Sequence, residues 1–311
     1  MLKTEKKKVK PNIVIYDAIF FSPHLDDAVL SQGGTIAKLT AEEKEVLVVT
    51  IFTQGESSPI SGDGKNYLKK CGKTGVREMF IDRKKEDKNA GKVLGFDTLH
   101  LGYNAEIYRL RPKTLINSYF PYFRFIYPSL KKAFRGKISS ADTTLQGRIK
   151  KDLKSIIKKY GKPGTKIYGP LGVGSHVDHL IVFEALNSLR IKNFFFWEDI
   201  PYSKQEKIKK RLKDLAKRKL RFSPQKVDIN KHANLKKKVI LQYASQIPIL
   251  FPDGLIVRAY ETYYKKINKN SLVLTNTHSI RILDTRFRPN KDELAKPLLR
   301  KVPERSYDKV F

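Results

Sequence analysis

Cysteine is almost absent from this chain: Cys71 stands alone among 311 residues. A single thiol excludes an internal disulfide and a zinc site built on thiolates, so any metal must be held by histidine and carboxylate. It is also compatible with a reducing compartment. Long apolar runs are missing as well. The most apolar window, residues 12–21, is too short to cross a bilayer and carries Asp17. Met1-Leu2-Lys3-Thr4-Glu5-Lys6 runs into further lysines, without the apolar stretch of a secretory signal. The expectation is a soluble, cytoplasmic protein, with peripheral contact at the inner membrane surface left open.

Acidic residues are scarce: 31 Asp and Glu stand against 63 Lys and Arg, a net charge of +32. Three readings compete. A nucleic-acid binder would use such charge to displace counterions from phosphates. An enzyme with an anionic or membrane-surface substrate would use it for steering. Otherwise the lysines decorate solvated faces. They are spread over the whole length with no nucleic-acid motif beside them, which weighs against the first reading. What is present in quantity is apolar residue, 40% hydrophobic and 11% aromatic, enough for a large core. The length suits one enlarged α/β domain or one domain with a modest appendage.

Residues 1–11 read as a basic arm. Residues 12–22 alternate and then run apolar, which suits a buried strand; 28–39 has helical spacing, and 45–52 is a second buried strand. This strand-helix-strand unit predicts parallel pairing with a right-handed crossover. Residues 53–75, rich in Gly, Ser and Lys, read as a long mobile loop. A helix over 77–94 ends at Gly95, and 97–101 makes a short strand. Residues 103–140 are an irregular insertion holding the aromatic stretch 118–128. A helix at 143–160 is followed by the break Gly161-Lys162-Pro163-Gly164 and a strand at 166–171. Then come a helix at 177–189, a strand at 192–197, a basic helix at 203–220, the segment 222–229 and a helix from His232 to about Ser245. Alternating strands and helices predict an α/β fold, a mostly parallel sheet covered by helices on both faces. The domain spans 12–250, and 251–311 is an extension packed on it.

Two short motifs carry the chemistry. Pro23-His24-Leu25-Asp26-Asp27 follows the first strand, at the carboxyl edge of a parallel sheet, where open α/β folds hold ligands. His24 and Asp27 reach one point if the chain turns into a helix there, with Asp26 between them pointing elsewhere. His176-Val177-Asp178-His179 sits at an equivalent turn, its histidines again three apart. Two histidines and a carboxylate with an open fourth position are what a hydrolytic zinc site needs. The blander alternatives are structural histidines and an Asp27 that only caps a helix. Yet three of the six histidines fall in these motifs, each after a predicted strand and each beside aspartate, which favours a shared metal site. His100, His232 and His278 read as structural or exposed.

Ser22-Pro23-His24-Leu25-Asp26-Asp27-Ala28-Val29-Leu30-Ser31, followed by Gly33-Gly34, resembles the first motif of the N-acetylglucosaminyl-phosphatidylinositol de-N-acetylase family (PIG-L/LmbE-like), and His176-Val177-Asp178-His179 resembles its second. Lesser matches follow in family order: Phe52-Thr53-Gln54-Gly55-Glu56, Arg83-Lys84-Lys85-Glu86 leading to Leu94-Gly95, Trp197-Glu198-Asp199-Ile200-Pro201-Tyr202, and Tyr243-Ala244-Ser245-Gln246. The resemblance implies a Rossmann-like sheet, one zinc ion (or another divalent transition metal) and hydrolysis of an N-acetyl bond on a GlcNAc-type amino sugar by metal-activated water. It makes His24, Asp27 and His179 the metal ligands, Asp26 the general base and His176 the acid or charge-stabilising group. Asp178 becomes the carboxylate that orients His176, and Arg83 a substrate-binding residue, with a surface pair to Glu86 as the alternative. Leu25 and Ala28 depart from the proline and glutamate of many members, which bears on the pocket rim and not on the ligands.

The positive charge and the aromatic stretch suggest an anionic or lipid-linked glycan, or else the stretch is an insertion packed over the sheet. Rival readings are an amidase for a non-sugar N-acyl substrate and a basic nucleic-acid-binding α/β protein. A phosphate-handling metalloenzyme fits less well: no Gly-x-x-x-x-Gly-Lys loop is present, and Gly33-Gly34 is too short for a dinucleotide fingerprint. The oligomeric state is left open.

Overall fold

The computed structural model describes residues 13–189, 191 and 193–267. The basic arm 1–11, His278 and most of the extension lie outside the described residues. Among the described residues, seven strands form one sheet: β1 (Tyr16–Ser22), β2 (Val46–Gln54), β3 (Asp97–Asn104), β4 (Gly161–Pro170), β5 (Phe194–Trp197), β6 (Phe222–Asp228) and β7 (Tyr260–Lys266), in the order β3-β2-β1-β4-β5-β7-β6. Between them run α1 (Asp27–Ala41), α2 (Gly62–Lys70), α3 (Val76–Leu94), α4 (Leu115–Tyr119), α5 (Leu130–Ala133), α6 (Thr143–Tyr160), α7 (Val177–Ser188), α8 (Gln205–Lys217), α9 (Ala233–Ile240) and α10 (Ile247–Leu250). β1 to β5 pair in parallel, while β7 pairs antiparallel with both β5 and β6.

Alternation along the central strands builds two cores. Ile19, Phe21, Leu47 and Val49 face one side of the sheet and pack with Ile149 and Leu153 of α6 and Ile181 and Phe183 of α7. Ala18, Phe20, Val46 and Val48 face the other, with Val29 and Ile36 of α1, Leu94 of α3 and Val239 of α9. A strand buried on both faces reads as a continuous apolar run, which is why 18–21 and 46–49 are legible as central strands. From β1 the chain moves to β2 and β3 on one flank and then returns to lay β4 on the other. The crevice between the carboxyl ends of β1 and β4 is therefore a topological switch point.

Two expectations need correction. The loop expected over 53–75 contains α2, because Ser61 caps it, its Oγ accepting from the Gly64 N–H at 3.1 Å, and Leu68 and Cys71 are buried in the core. Tertiary burial overrides a Gly- and Lys-rich composition here. The sheet also runs past residue 250: β7 lies between β5 and β6. Its sequence, Tyr-Glu-Thr-Tyr-Tyr-Lys-Lys, mixes charge into an antiparallel strand near the sheet edge and shows little apolar signal.

Candidate active site

α1 begins at the carboxyl end of β1 in an unusual way. Asp26 occupies the N-cap position (φ −141°, ψ −26°), yet its side chain makes no cap hydrogen bond. Ser22 does that work: its Oγ accepts from the Ala28 N–H at 3.0 Å and donates to the His24 carbonyl at 2.6 Å. Both aspartates are thereby free of the capping role. Asp27 turns back on His24, its Oδ2 lying 2.8 Å from the His24 backbone N–H and 3.1 Å from His24 Nδ1. The first turn of a helix also favours carboxylates by its dipole.

β4 ends in a turn that brings α7 to the same crevice. Gly174 (φ +86°) and Ser175 (φ +66°) hold left-handed conformations there, and a Cβ on Gly174 would lie 2.6 Å from Tyr202. His176 is the N-cap of α7, with Nδ1 accepting from the Asp178 N–H at 3.2 Å. A backbone N–H can only donate, so in the neutral ring the proton sits on Nε2, 3.3 Å from Glu106 Oε1. His179, one turn into the helix, points Nε2 at Asp27 Oδ2, 3.3 Å away.

Each histidine beside Asp27 is held from behind by a carboxylate. His24 Nε2 lies 3.2 Å from Asp178 Oδ2, and His179 Nδ1 lies 2.6 Å from Asp199 Oδ1. Asp199, just past β5, is itself fixed by the Val173 N–H at 2.7 Å. Asp178 also accepts from Arg109 Nη1 at 2.5 Å and from the Glu106 N–H at 3.1 Å. The ring nitrogens left facing Asp27 are His24 Nδ1 and His179 Nε2, and the latter is buried without a hydrogen-bond partner. A zinc-binding histidine characteristically presents one nitrogen to the metal and its other to a carboxylate. With bonds of about 2.0–2.1 Å, tetrahedral donors stand about 3.3 Å apart. The observed 3.1 Å and 3.3 Å separations to Asp27 fit that spacing, so the residues present suit a metal held by His24, Asp27 and His179.

The electrostatics agree. Burial by itself would lower His24, but its hydrogen bonds to Asp178 and Asp27 push it up to about 9. His179 is raised well above its ordinary value against burial, chiefly by Asp27 and Asp199. Burial would raise Asp27, yet His179 and His24 hold it well below the usual carboxylate range. Asp178 is likewise lowered despite burial, by Arg109 and His24. Asp26 alone among these carboxylates rises, to about 6, through burial, with Arg83 opposing and Asp27 adding to it. Asp26 and Asp178 are each touched by a guanidinium, from Arg83 and Arg109, while Asp27 faces the two histidines.

One expected role differs from the observed position, and one alternative is excluded. Asp178 does not orient His176 through its carboxylate, which turns to His24 and Arg109; the carboxylate facing His176 is Glu106. The cause is the helical turn: an N-capping histidine takes the Asp178 backbone N–H, and that side chain projects elsewhere. Arg83 is not a surface residue paired with Glu86. It is buried, 3.4 Å from Asp26 Oδ2 and 3.3 Å from the Tyr67 hydroxyl, while Glu86 binds the N–H and Oγ of Ser245. Glu106, Arg109, Asp199 and Tyr202 were not singled out from sequence. Asp199 and Tyr202 belong to the quoted Trp197–Tyr202 match, which was signal enough to nominate them; Glu106 and Arg109 lie in the irregular insertion and had none. His100 is partly buried and pairs with Asp87 at 2.7 Å, in keeping with a structural role.

The GlcNAc-PI de-N-acetylase (PIG-L) family matches residues 19–190. No curated protein matches the chain. Among solved structures, it is similar to a deacetylase of the teicoplanin biosynthesis pathway (TM-score 0.63, 23% identity, covering 81% of this chain and 99% of that one). The zinc-inhibited form of teicoplanin deacetylase Orf2 gives 0.62, with the same identity and coverage. The A40926 pseudoaglycone deacetylase Dbv21 gives 0.58 at 22% identity, over 80% and 96% of the two chains. At these identities the likenesses establish the fold.

Proposed function

The chain belongs to the GlcNAc-PI de-N-acetylase (PIG-L) family, which makes it a hydrolytic N-deacetylase of sugar-type substrates, and from that premise we propose that it removes the acetyl group from a GlcNAc-type amino sugar on an anionic or lipid-linked carrier, using a zinc ion. One observation carries the metal reading: His24 Nδ1 and His179 Nε2 converge on Asp27 Oδ2, each ring backed by its own carboxylate. A divalent transition metal held there supplies the positive charge that acidifies water and polarises the acetamide carbonyl.

The remaining work falls to the chain's own groups. Asp26, raised to about 6 and not engaged with either histidine, accepts the proton of the attacking water as general base. Arg83 orients that carboxylate, and Tyr67 steadies Arg83 while donating to Gln246 Oε1 at 2.6 Å. His176 holds its proton on Nε2, where it serves the developing oxyanion or the leaving amine. Phe134 and Tyr202 pack edge-on against the His176 and His179 rings, with centroids 4.7 Å and 5.9 Å away, and limit water around them. The anionic or lipid-linked carrier is favoured by the net charge of +32.

An acetate-release screen over neutral, phosphorylated and lipid-linked N-acetylated sugars, read beside metal content, tests the proposal. Asp26→Asn should keep its metal and lose turnover by about 10²–10⁴-fold. Full activity in that variant would reject Asp26 as the base. A metal-free protein with undiminished acetate release would reject the metal, and release only from non-sugar amides would reject the substrate class.

A further inference from the structure

The insertion between β3 and α6 contains a built arm with an outward-facing apolar tip. Its root is closed by backbone: the Arg111 N–H donates to the Arg124 carbonyl at 2.7 Å and the Ile126 N–H to the Arg109 carbonyl at 3.2 Å. The Arg111 guanidinium adds a bond to the Phe125 carbonyl at 2.7 Å. Phe125 and Tyr127 are buried at this root, and the Arg109 guanidinium lies 5.2 Å from the ring centres of both Phe52 and Tyr127. At the tip, α4 is fixed by a capping box between Thr114 and Asn117. Tip and root are thus both ordered by hydrogen bonds.

The apolar side chains of the tip nevertheless face solvent. Leu115, Ile116, Tyr119, Phe120, Tyr122 and Phe123 are between 57% and 82% exposed, six of the thirteen exposed large hydrophobics among the described residues. Phe123 touches both Phe120 and Tyr122 edge-on, at 6.2 Å, so the rings form one patch. Scattered exposed apolar residues are ordinary; a contiguous cluster on a protruding element marks an interaction surface. The charge along its own segment of chain has one sign. From Ile107 to Ala141 the chain carries eight lysines and arginines and no aspartate or glutamate. Two such tips would repel each other. An apolar, aromatic tip within a cationic segment complements a surface with an apolar interior and an anionic face.

We propose that the arm, residues 110–125, docks this protein on an anionic lipid bilayer, its six exposed apolar side chains entering the interface. Glu106 and Arg109, at the base of the arm, touch His176 and Asp178, so docking holds the candidate active site next to the bilayer surface. The inference goes beyond the catalytic reading, since it concerns where the protein works and not which bond it cleaves.

Sedimentation of the full chain with phosphatidylcholine vesicles, with and without phosphatidylglycerol, tests it directly. Binding should require phosphatidylglycerol, fall steeply with salt, and weaken by about tenfold or more in Leu115→Ser/Ile116→Ser/Phe120→Ser/Phe123→Ser. That variant should still release acetate from a soluble N-acetylated sugar at the wild-type rate. Should it fail to fold, Lys113→Glu/Lys131→Glu/Lys132→Glu probes the same contact through charge. Tyr119→Trp adds a spectroscopic readout: its emission should shift blue and be quenched by brominated lipid in anionic vesicles. The proposal is overturned by absent vesicle binding, by serine and glutamate variants that bind like wild type, or by an unquenched Trp at 119. A wild-type dimer that the serine variant turns into a monomer, without vesicle binding, would assign the patch to a second copy of the chain instead.

Discussion

Ser22 supplies the hydrogen bond that the start of a helix usually takes from its own N-cap side chain, and the rest of the site depends on that substitution of roles. With Ala28 N–H already satisfied, Asp26 and Asp27 are free to face in different directions, one to Arg83 and one to the two histidines. At this scale the partners behind the histidines are the sharpest test. Asp199→Asn leaves the shape of the pocket but weakens the hold on the His179 ring, so metal affinity should fall by about 10–100-fold in a chelator competition. Unchanged affinity would remove Asp199 from the site. Arg83→Gln should reduce kcat by about 10²-fold through misplacement of Asp26, with the metal retained. If metal is lost as well, Arg83 acts on the ligand set and not on Asp26 alone.

Among the described helices, α1 departs from regularity within its own span. At Gln32 its backbone leaves helical geometry (φ −134°, ψ 19°), which frees the N–H groups of the next turn. Glu261 of β7 recovers them: its carboxylate accepts from Gly34 N at 2.8 Å, Thr35 N at 2.7 Å and Thr35 Oγ1 at 2.6 Å, and pairs with Lys236 Nζ of α9 at 2.7 Å. A strand, a broken helix and a second helix are thus joined through one buried carboxylate. Glu261→Ala would leave the buried Lys236 ammonium and two backbone donors without their partner. A loss of about 3–5 kcal/mol is expected in urea denaturation. A loss under about 1 kcal/mol would mean that water or a neighbour replaces the carboxylate.

For the whole molecule, the sheet order decides where the fold ends. β7 is the only described strand that joins β6 to β5, so a chain stopped at residue 250 would strand β6 and remove Glu261 from α1. Such a chain should show reduced sheet content by circular dichroism and aggregate in gel filtration, as an unpaired edge does. A folded, monodisperse product would restore 12–250 as the self-sufficient unit. No helix among the described residues is long and apolar enough to cross a membrane.

The sequence by itself determined the double-faced central strands, the amphipathic helix at 143–160 and the two histidine motifs, each after a strand. All three are written locally, as a continuous apolar run, a helical period, or residues three apart on one turn. Only the tertiary structure decided which carboxylate stands behind which histidine. Asp178 serves His24 across the crevice, Asp199 arrives from β5 to serve His179, and Glu106 comes over from β3 to His176. The same holds for Arg83, whose helical position suits solvent equally well until α3 packs it against Asp26. β7 was hidden for a related reason: a mixed, charged strand gains its place by pairing with β5 and β6, more than thirty residues earlier in the chain. Periodicity encodes what a segment buries, whereas the geometry of the site is set by the switch point that brings four strand ends together.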